Sequence, residues 1–378
     1  MVPYLRAANV KDGYLDLRDV KSMDFSPAEQ VSFSVRPGDV LVTEGAGSLA
    51  AVGASAVWGG EIEETVCFQN TLVRLRPAPE TYPRYLLWWA RHAYGSGLFA
   101  AAANGANIYH LGVENVRQLP AHIPTRRSQQ AIADYLDAET ARIDEIVTSL
   151  RRANQLLDQW LASVIDDVVW ARSDRTVPLL RLTPDDRPIQ YGIVLPGPNV
   201  PEGVPIVKGG DIVTGRLSAS RLNRTTAEIE LRYARSRLRA GDLVFAIRGA
   251  VGACAIVPSE VEGANITQDV ARISPIAGVD PNWLLFVMRS TSAQAQVESR
   301  MVGATIQGIN IRDLKRVRIP WLTLPEQRKR AATLVDAQRY KDQVTSAREH
   351  QLTLLAERRR ALITSAVTGA LEIPGGSA

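Results

Sequence analysis

Two stretches of this chain, 198 residues apart, read as copies of one plan. An internal repeat constrains a fold more than any single motif does. At that offset Gly105-Ala106-Asn107-Ile108 falls on Gly303-Ala304-Thr305-Ile306, and Tyr85–Arg91 falls on Trp283–Arg289. Arg74 and Pro77 fall on Arg272 and Pro275, and Leu156-Leu157 on Leu354-Leu355. Towards the N-terminus the offset drifts by four or five residues, as loops of unequal length produce. There Arg36-Pro-Gly38-Asp39 followed by Val40–Val42 matches Arg239-Ala-Gly241-Asp242 followed by Leu243–Phe245, and Val2–Leu5 matches Val204–Val207.

Each half carries short β-rich runs bounded by turn residues, such as Asp39–Thr43, Thr71–Leu75 and Asp242–Ile247. Each also carries a helix opening on a proline, Pro83 or Pro281. A proline-marked boundary, Pro120/Pro124 or Pro320/Pro325, then precedes a long helix. The expected class is α+β: two pseudo-repeated α/β domains separated by two long, antiparallel, coiled-coil-like helices. Boundaries fall at 1–127, 128–170, 171–324 and 325–378. Residues 171–203 lead into the second domain, whereas the first begins at Val2 with no counterpart to them. That difference implies either an upstream start or a first domain without one edge element.

The first long helix, about 128–168, has a seam at alternating spacings of three and four. It runs Ala133, Leu136, Thr140, Ile143, Val147, Leu150, Asn154, Leu157, Leu161, Val164, Val168, with Asn154 as a polar register pin. The second, about 325–366, reads as less regular: Leu334, Val344, Leu355 and Leu362 are apolar, while Lys341 and Arg358 interrupt. Charge separates by segment. The four segments carry nets of 0, −5, +6 and +3, which favours pairing of the acidic first helix with the basic second.

No constellation for catalysis is present in the sequence. No lysine follows a glycine, so there is no phosphate-binding P-loop. His92, His110, His122 and His350 are scattered, with no HExxH, and there is no GxSxG elbow. Asp280-Pro281-Asn282-Trp283 is near an amino-methyltransferase loop, but its repeat partner Tyr82-Pro83-Arg84-Tyr85 is not, and a helix N-terminus explains both. Cys67 and Cys254 are 187 positions apart without any CxxC, which excludes zinc ribbons and disulfide frameworks and fits a reducing cytoplasm. With no apolar run near the ~20 residues a bilayer span needs, the expected location is cytoplasmic, with no membrane partner.

The stretch Gln129–Asp144 resembles the first spacer helix of the specificity subunits of type I restriction–modification systems. Leu324-Pro325-Glu326-Gln327-Arg328 and Arg358–Gly369 resemble the opening and close of the second. Gly303–Ile309 followed by Leu314 and Ile319-Pro320 resembles the end of that family's target recognition domains, and Ile189–Val194 with Gly203–Val207 the start of one. The resemblance implies two target recognition domains that each read half of a bipartite, asymmetric sequence in double-stranded DNA. It implies helices that set the half-site spacing and dock two methyltransferase subunits, with a motor-nuclease subunit as a further partner. It also implies no cofactor on this chain, since S-adenosylmethionine for adenine-N6 methylation belongs to the partner methyltransferase, and no catalytic residue.

Specific reading of DNA needs Arg, Asn or Gln at base edges, carried on loops between strands. In the first half the candidates are Asn104, Asn107, Tyr109 and His110, with Arg6, Asn9 and Lys11 on the opposite loop and Thr43 beside Gly45. In the second they are Thr305, Gln307 and Asn310, then Lys208, Arg248, Thr267 and Gln268. Arg221, Arg224 and Arg235 are candidate phosphate contacts. Partner docking and the coiled coil fall to Leu136, Ile143, Val147, Leu150, Asn154, Leu157 and Leu161 with Leu334, Val344, Leu355 and Leu362. Two other readings stay open at this stage: a two-lobed coiled-coil scaffold that reads no DNA, and a stand-alone methyltransferase or nuclease.

Overall fold

A computed structural model of the chain describes residues 1–46, 51–105, 109–171, 173, 175–213, 217–303 and 307–373. It divides into two compact units, Met1–Arg151 with Arg348–Ala378, and Arg152–Ala347. Both units are mixed α/β bodies, and each long helix contributes one part of its length to each.

Both units are built around the same turn. In the first, the Asp39 carboxylate accepts from the Arg36 N–H at 2.8 Å; in the second, Asp242 accepts from the Arg239 N–H at 2.8 Å. Gly38 and Gly241 between them sit at φ of 95° and 85°, a left-handed conformation that side chains rarely adopt. The turn launches a wholly buried central strand, Val40–Thr43 or Leu243–Ala246. Val40–Thr43 lies between antiparallel Ser55–Val57 and Leu72–Leu75. Leu243–Ala246 lies between antiparallel Cys254–Ile256 and Val270–Ile273. A second sheet repeats too: Val2–Leu5 or Val204–Val207 has one antiparallel neighbour and one parallel neighbour. The second unit adds two pairings of its own, Thr176–Pro178 with Arg318–Pro320 and Gln190–Tyr191 with Val270–Ile273.

The helices Pro83–Gly95 and Pro281–Arg289 both begin on their proline. Asp280 caps the second, its carboxylate accepting from the Trp283 N–H at 3.0 Å, so the Asp-Pro-Asn-Trp motif is a helix start. A buried glutamine ties each of these helices to the start of a long one. The Gln129 carbonyl accepts from the Tyr82 N–H at 2.7 Å, and its amide donates to the Glu80 and Pro124 carbonyls. At +198, the Gln327 carbonyl accepts from the Asp280 N–H at 2.8 Å, and its amide donates to the Gly278 and Leu322 carbonyls. The four positions correspond one for one.

The long helices run Arg126–Trp170 and Leu324–Val367. All eleven residues of the first seam are buried or half-buried. The second helix is more regular than its composition suggests. Ala331, Leu334, Gln338, Lys341, Thr345, Arg348, Leu352, Leu355, Arg359, Leu362 and Ala366 form an unbroken 3-4 seam, every member buried or half-buried. Lys341 therefore continues the seam and does not interrupt it, whereas Arg358 is exposed beside it. In the second unit Lys341 pairs with Asp158 at 2.8 Å, and Arg330 donates to the Val168 and Ala171 carbonyls, so the helices run antiparallel there. In the first unit Arg359 pairs with Asp144 at 2.5 Å and donates to the Thr140 carbonyl.

One buried carboxylate is paired with an arginine that reaches solvent. The Glu230 carboxylate, 3% exposed, takes Arg237 bidentately at 2.9 and 2.6 Å and the Asn265 amide at 3.1 Å. The Arg237 hydrogen bond holds the Glu230 carboxyl below the ordinary glutamate range, against the burial that opposes it.

Two outcomes follow for stability. Gln327→Leu orphans a buried N–H and two carbonyls and should destabilise the chain by about 1–3 kcal/mol or more in denaturant unfolding. Glu230 stabilises the fold in full above the unfolded carboxylate pKa, and that contribution disappears as pH falls through its depressed folded value. Arg237→Ala should therefore cost about 1–3 kcal/mol at neutral pH, and less in acid, in unfolding curves recorded at both pH values.

Candidate nucleic-acid interface

In the second unit several elements meet at the C-terminal end of the central strand Leu243–Ala246. The Ile247 and Arg248 N–H groups donate to the Asp269 carbonyl at 2.8 and 3.3 Å, which brings up the Thr267–Asp269 turn. The Ile309 N–H donates to the Ile247 carbonyl at 3.0 Å, and Arg248 bridges Gly308, which brings up the glycine-rich loop. A Cβ at Gly308 would sit 2.9 Å from the Ile247 carbonyl, so only glycine allows that approach. Gly209, following Lys208, lies against the Arg248 carbonyl. The strand end thus gathers exposed Arg248, Gln307 and Asn310 with half-buried Gln268 and Lys208. Tyr191 is 50% exposed, and its loop joins the cluster through the Gln268 N–H to the Ile193 carbonyl, 2.9 Å.

Thr267 belongs to the scaffold of this cluster. It is buried, its backbone N–H bonds the Val207 carbonyl at 3.0 Å, and its hydroxyl points to the same atom. Thr305 lies outside the described residues. Among the phosphate candidates, Arg221 and Arg235 are exposed, while half-buried Arg224 donates to the Gly203 carbonyl at 2.9 Å.

The first unit assembles the same kind of cluster beyond Thr43. Tyr109 and His110 pair antiparallel with Ala46 and Gly45, Asn104 bridges His110, and the Leu111 N–H donates to the Glu44 carbonyl at 2.9 Å. Asn104 and His110 are exposed, and Tyr109 is half-buried. Burial raises the Glu44 carboxyl above the ordinary range, with His110 acting in the opposite direction. Lys11 and Thr43 line a groove of about 340 Å³ together with Asp12 and Tyr94. Asn107 lies outside the described residues.

Three candidates of this half are committed internally. Asn9 is 2% exposed; its carbonyl accepts from the Arg6 N–H at 3.0 Å, and its amide donates to the Asp16 and Asp19 carbonyls. Thr43 is 4% exposed, donating to the Ala51 carbonyl and accepting from the Gly53 N–H, both at 3.0 Å. Arg6 pairs with Asp19 at 2.9 Å. A polar residue in a loop and a polar residue holding that loop together look alike in sequence. Two exposed groups were passed over: Tyr191, and Asn70, which occupies the position of Gln268 at the repeat offset. The repeat register was the signal for Asn70.

Both thiols are buried, and burial pushes Cys254 up to about 11 and Cys67 above its ordinary value, which suits neither to nucleophilic work. Among the described residues no group of His, Cys, Asp and Glu is placed to hold a metal ion, and no helix is long and apolar enough to cross a membrane.

No family model matches the chain. It is 23% identical over 394 residues to the type I restriction enzyme EcoBI specificity subunit of Escherichia coli, covering 96% of this chain and 81% of that one. It is 26% identical over 166 residues to the StySPI specificity subunit of Salmonella potsdam, covering 43% of this chain and 35% of that one. Among solved structures, a chain from a study of complex assembly and conformational transition in the type I R-M system aligns with a TM-score of 0.76 at 18% identity, covering 98% of this chain and 92% of that one. The HsdS subunit from Thermoanaerobacter tengcongensis aligns with a TM-score of 0.56 at 16% identity, covering 98% and 91%. The repeat, the paired long helices and these likenesses agree: over nearly its whole length the chain is homologous to the specificity subunits of type I restriction enzymes and shares their fold.

Proposed function

We propose that this chain is the DNA-recognition subunit of a type I restriction–modification complex, itself without catalytic residues. The observation that carries the reading is the repeated strand-end cluster: each unit gathers amides and a cation or an aromatic ring on glycine-rich loops held by buried polar residues. Residues 1–127 and 171–324 serve as target recognition domains, each for one half of a bipartite sequence. Residues 128–170 and 325–378 serve as spacer helices that dock two adenine-N6 methyltransferase subunits, with a motor-nuclease subunit as a further partner. S-adenosylmethionine belongs to the methyltransferase, and the complex works on DNA in the cytoplasm.

Within this reading Arg248, Gln307, Gln268 and Asn310 face base edges in the second domain, with Lys208 beside them. Asn104, Tyr109, His110 and Lys11 do so in the first; on sequence grounds Asn107 joins the first set and Thr305 the second. Asn9, Thr43 and Thr267 hold the loops, and Arg221 and Arg235 meet phosphates.

Co-expression with an adjacently encoded methyltransferase, followed by single-molecule sequencing for N6-methyladenine, tests the proposal. A bipartite methylated motif should disappear when this gene is deleted. Arg248→Ala should relax one base position in one half of that motif, with a loss of about 1–3 kcal/mol in binding by the assembled complex. Exchanging residues 1–127 should change only the other half.

Salt dependence separates the two kinds of contact. Arg221→Ala should weaken binding evenly across sequences and lower the slope of log affinity against log salt by about 0.9. The second domain, with its net charge of +6 against 0 for the first, should supply the larger share of that slope. Equal contributions from the two domains, measured by neutralising one cation in each, would contradict the assignment.

A further inference from the structure

The two strand ends are built alike and differ sharply at their centre. In the first unit the Glu44 N–H donates to the Thr71 carbonyl at 2.9 Å, and the Glu44 carbonyl accepts from the Leu111 N–H at 2.9 Å. In the second the Ile247 N–H donates to the Asp269 carbonyl at 2.8 Å, and the Ile247 carbonyl accepts from the Ile309 N–H at 3.0 Å. Thr71 and Leu111 correspond to Asp269 and Ile309 at the repeat offset, so Glu44 and Ile247 hold the same place in the same backbone frame. Ile247 is 4% exposed and belongs to the core. Glu44 is half-buried, and among the described residues its carboxylate has no hydrogen bond and no ion pair.

The fold makes no use of that charge. Elsewhere, carboxylates of low exposure are compensated: Asp39 by Arg76 at 2.8 and 2.6 Å, Asp242 by Arg187 at 2.7 Å, Glu230 by Arg237, and Asp166 by the Thr291 and Ser292 N–H groups. At Glu44 burial raises the carboxyl, and among the described residues only exposed His110 acts against it. Near DNA phosphates an acidic group is also repelled. A half-buried carboxylate kept in such a place needs a hydrogen-bond donor that arrives with the ligand. Its surroundings are those of the loop cluster: exposed Asn70 precedes Thr71, and His110 pairs with Gly45.

An ionised carboxylate only accepts hydrogen bonds. In the major groove guanine presents two acceptors, thymine presents an acceptor and a methyl group, and adenine sets its amino group beside the N7 acceptor. Cytosine alone offers an amino donor with no acceptor beside it on its own edge. We infer that Glu44 reads cytosine, accepting a hydrogen bond from the N4 amino group, in the half-site bound by residues 1–127. The inference rests on the DNA-recognition role proposed above, and adds to it the base that one side chain selects.

Half-burial sharpens the choice. It holds the carboxylate in place, and a base that presents an oxygen or N7 there leaves two poorly hydrated acceptors facing each other, which is costly. The second unit has the opposite polarity at this place. Ile247 cannot accept a bond, and the exposed cation next to it, Arg248, matches the acceptor edge of guanine. Equal backbone frames thus present an acceptor in one copy and a donor in the other, as the two halves of an asymmetric sequence require.

The test uses the full chain co-expressed with the methyltransferase, with N6-methyladenine motifs mapped for the parent, Glu44→Ala and Glu44→Gln. The half-site to follow is the one that Arg248→Ala leaves intact. There the parent motif should hold a C·G pair that Glu44→Ala relaxes to any pair, with binding of the parental sequence weakened about ten- to a hundredfold. Glu44→Gln sets a donor beside the acceptor and should move the preference at that position to A·T. An unchanged second half-site shows that both variants fold and assemble. A motif identical in the parent and both variants would overturn the inference, as would relaxation at an A·T pair. Loss of both half-sites in both variants would overturn it too, and make Glu44 a structural residue. A parent without any bipartite motif would instead remove the DNA-recognition role itself, and the inference with it.

Discussion

The buried glutamine at the head of each long helix holds the rest of this structure in register. Gln129 and Gln327 each bind one N–H and two carbonyls, and the partners correspond at a constant offset of 198 residues. The bonded N–H groups, of Tyr82 and Asp280, are at the start of the short helix in each unit. That helix packs on the central sheet, and the central strand ends in the loop cluster. The direction of the long helix, the seat of the short one and the position of the loops are therefore linked through one side chain. Its strength comes from burial: a partner lost here leaves polar backbone groups out of reach of water, at about 1–3 kcal/mol each.

The long helices use a different balance. The helices are apolar where they join a core, through Ala133, Leu136, Ile363 and Ala366 in one unit and Leu161, Ile165, Ala331 and Leu334 in the other. Between these anchors the second seam carries Gln338, Lys341, Thr345 and Arg348. Partly exposed pairs such as Lys341–Asp158 and Arg359–Asp144 are worth only about 0–1 kcal/mol each. Their use is directional: a cation in a seam finds its carboxylate in one register and not in the next. The apolar ends supply cohesion and the polar stretch supplies alignment.

This division explains how far the sequence was legible. Apolar seams and repeat offsets survive as patterns of residue type, so the strands beginning at Val40 and Leu243, the proline-started helices and the first long helix could be read directly. The second long helix could be read as a helix but its seam could not, because Lys341 and Arg359 look like solvent-facing residues until their partners Asp158 and Asp144 are placed opposite them. The loop clusters were legible as places but not as lists. Asn9, Thr43 and Thr267 have the same composition as a reading residue, and only three-dimensional hydrogen bonding shows that their polar atoms are committed. Asn70 carried no local signal, and became visible only through its alignment with Gln268.

The two buried aspartates show where a repeat stops being readable by alignment altogether. Asp39 and Asp242 occupy the same turn, accept the same backbone N–H and impose the same demand for a buried countercharge. Arg76 meets it in one copy from the end of the neighbouring strand, at a position that is Ser274 in the other. Arg187 meets it there from a covering segment with no counterpart among the described residues of the first unit. Leaving either carboxylate alone in the core would cost several kcal/mol, so each copy must supply an arginine, yet nothing requires the same route. Repeats that keep the demand and exchange the supplier can diverge in their surfaces without losing the turn that carries the central strand. The same freedom lets two copies of one scaffold present different side chains at corresponding strand ends.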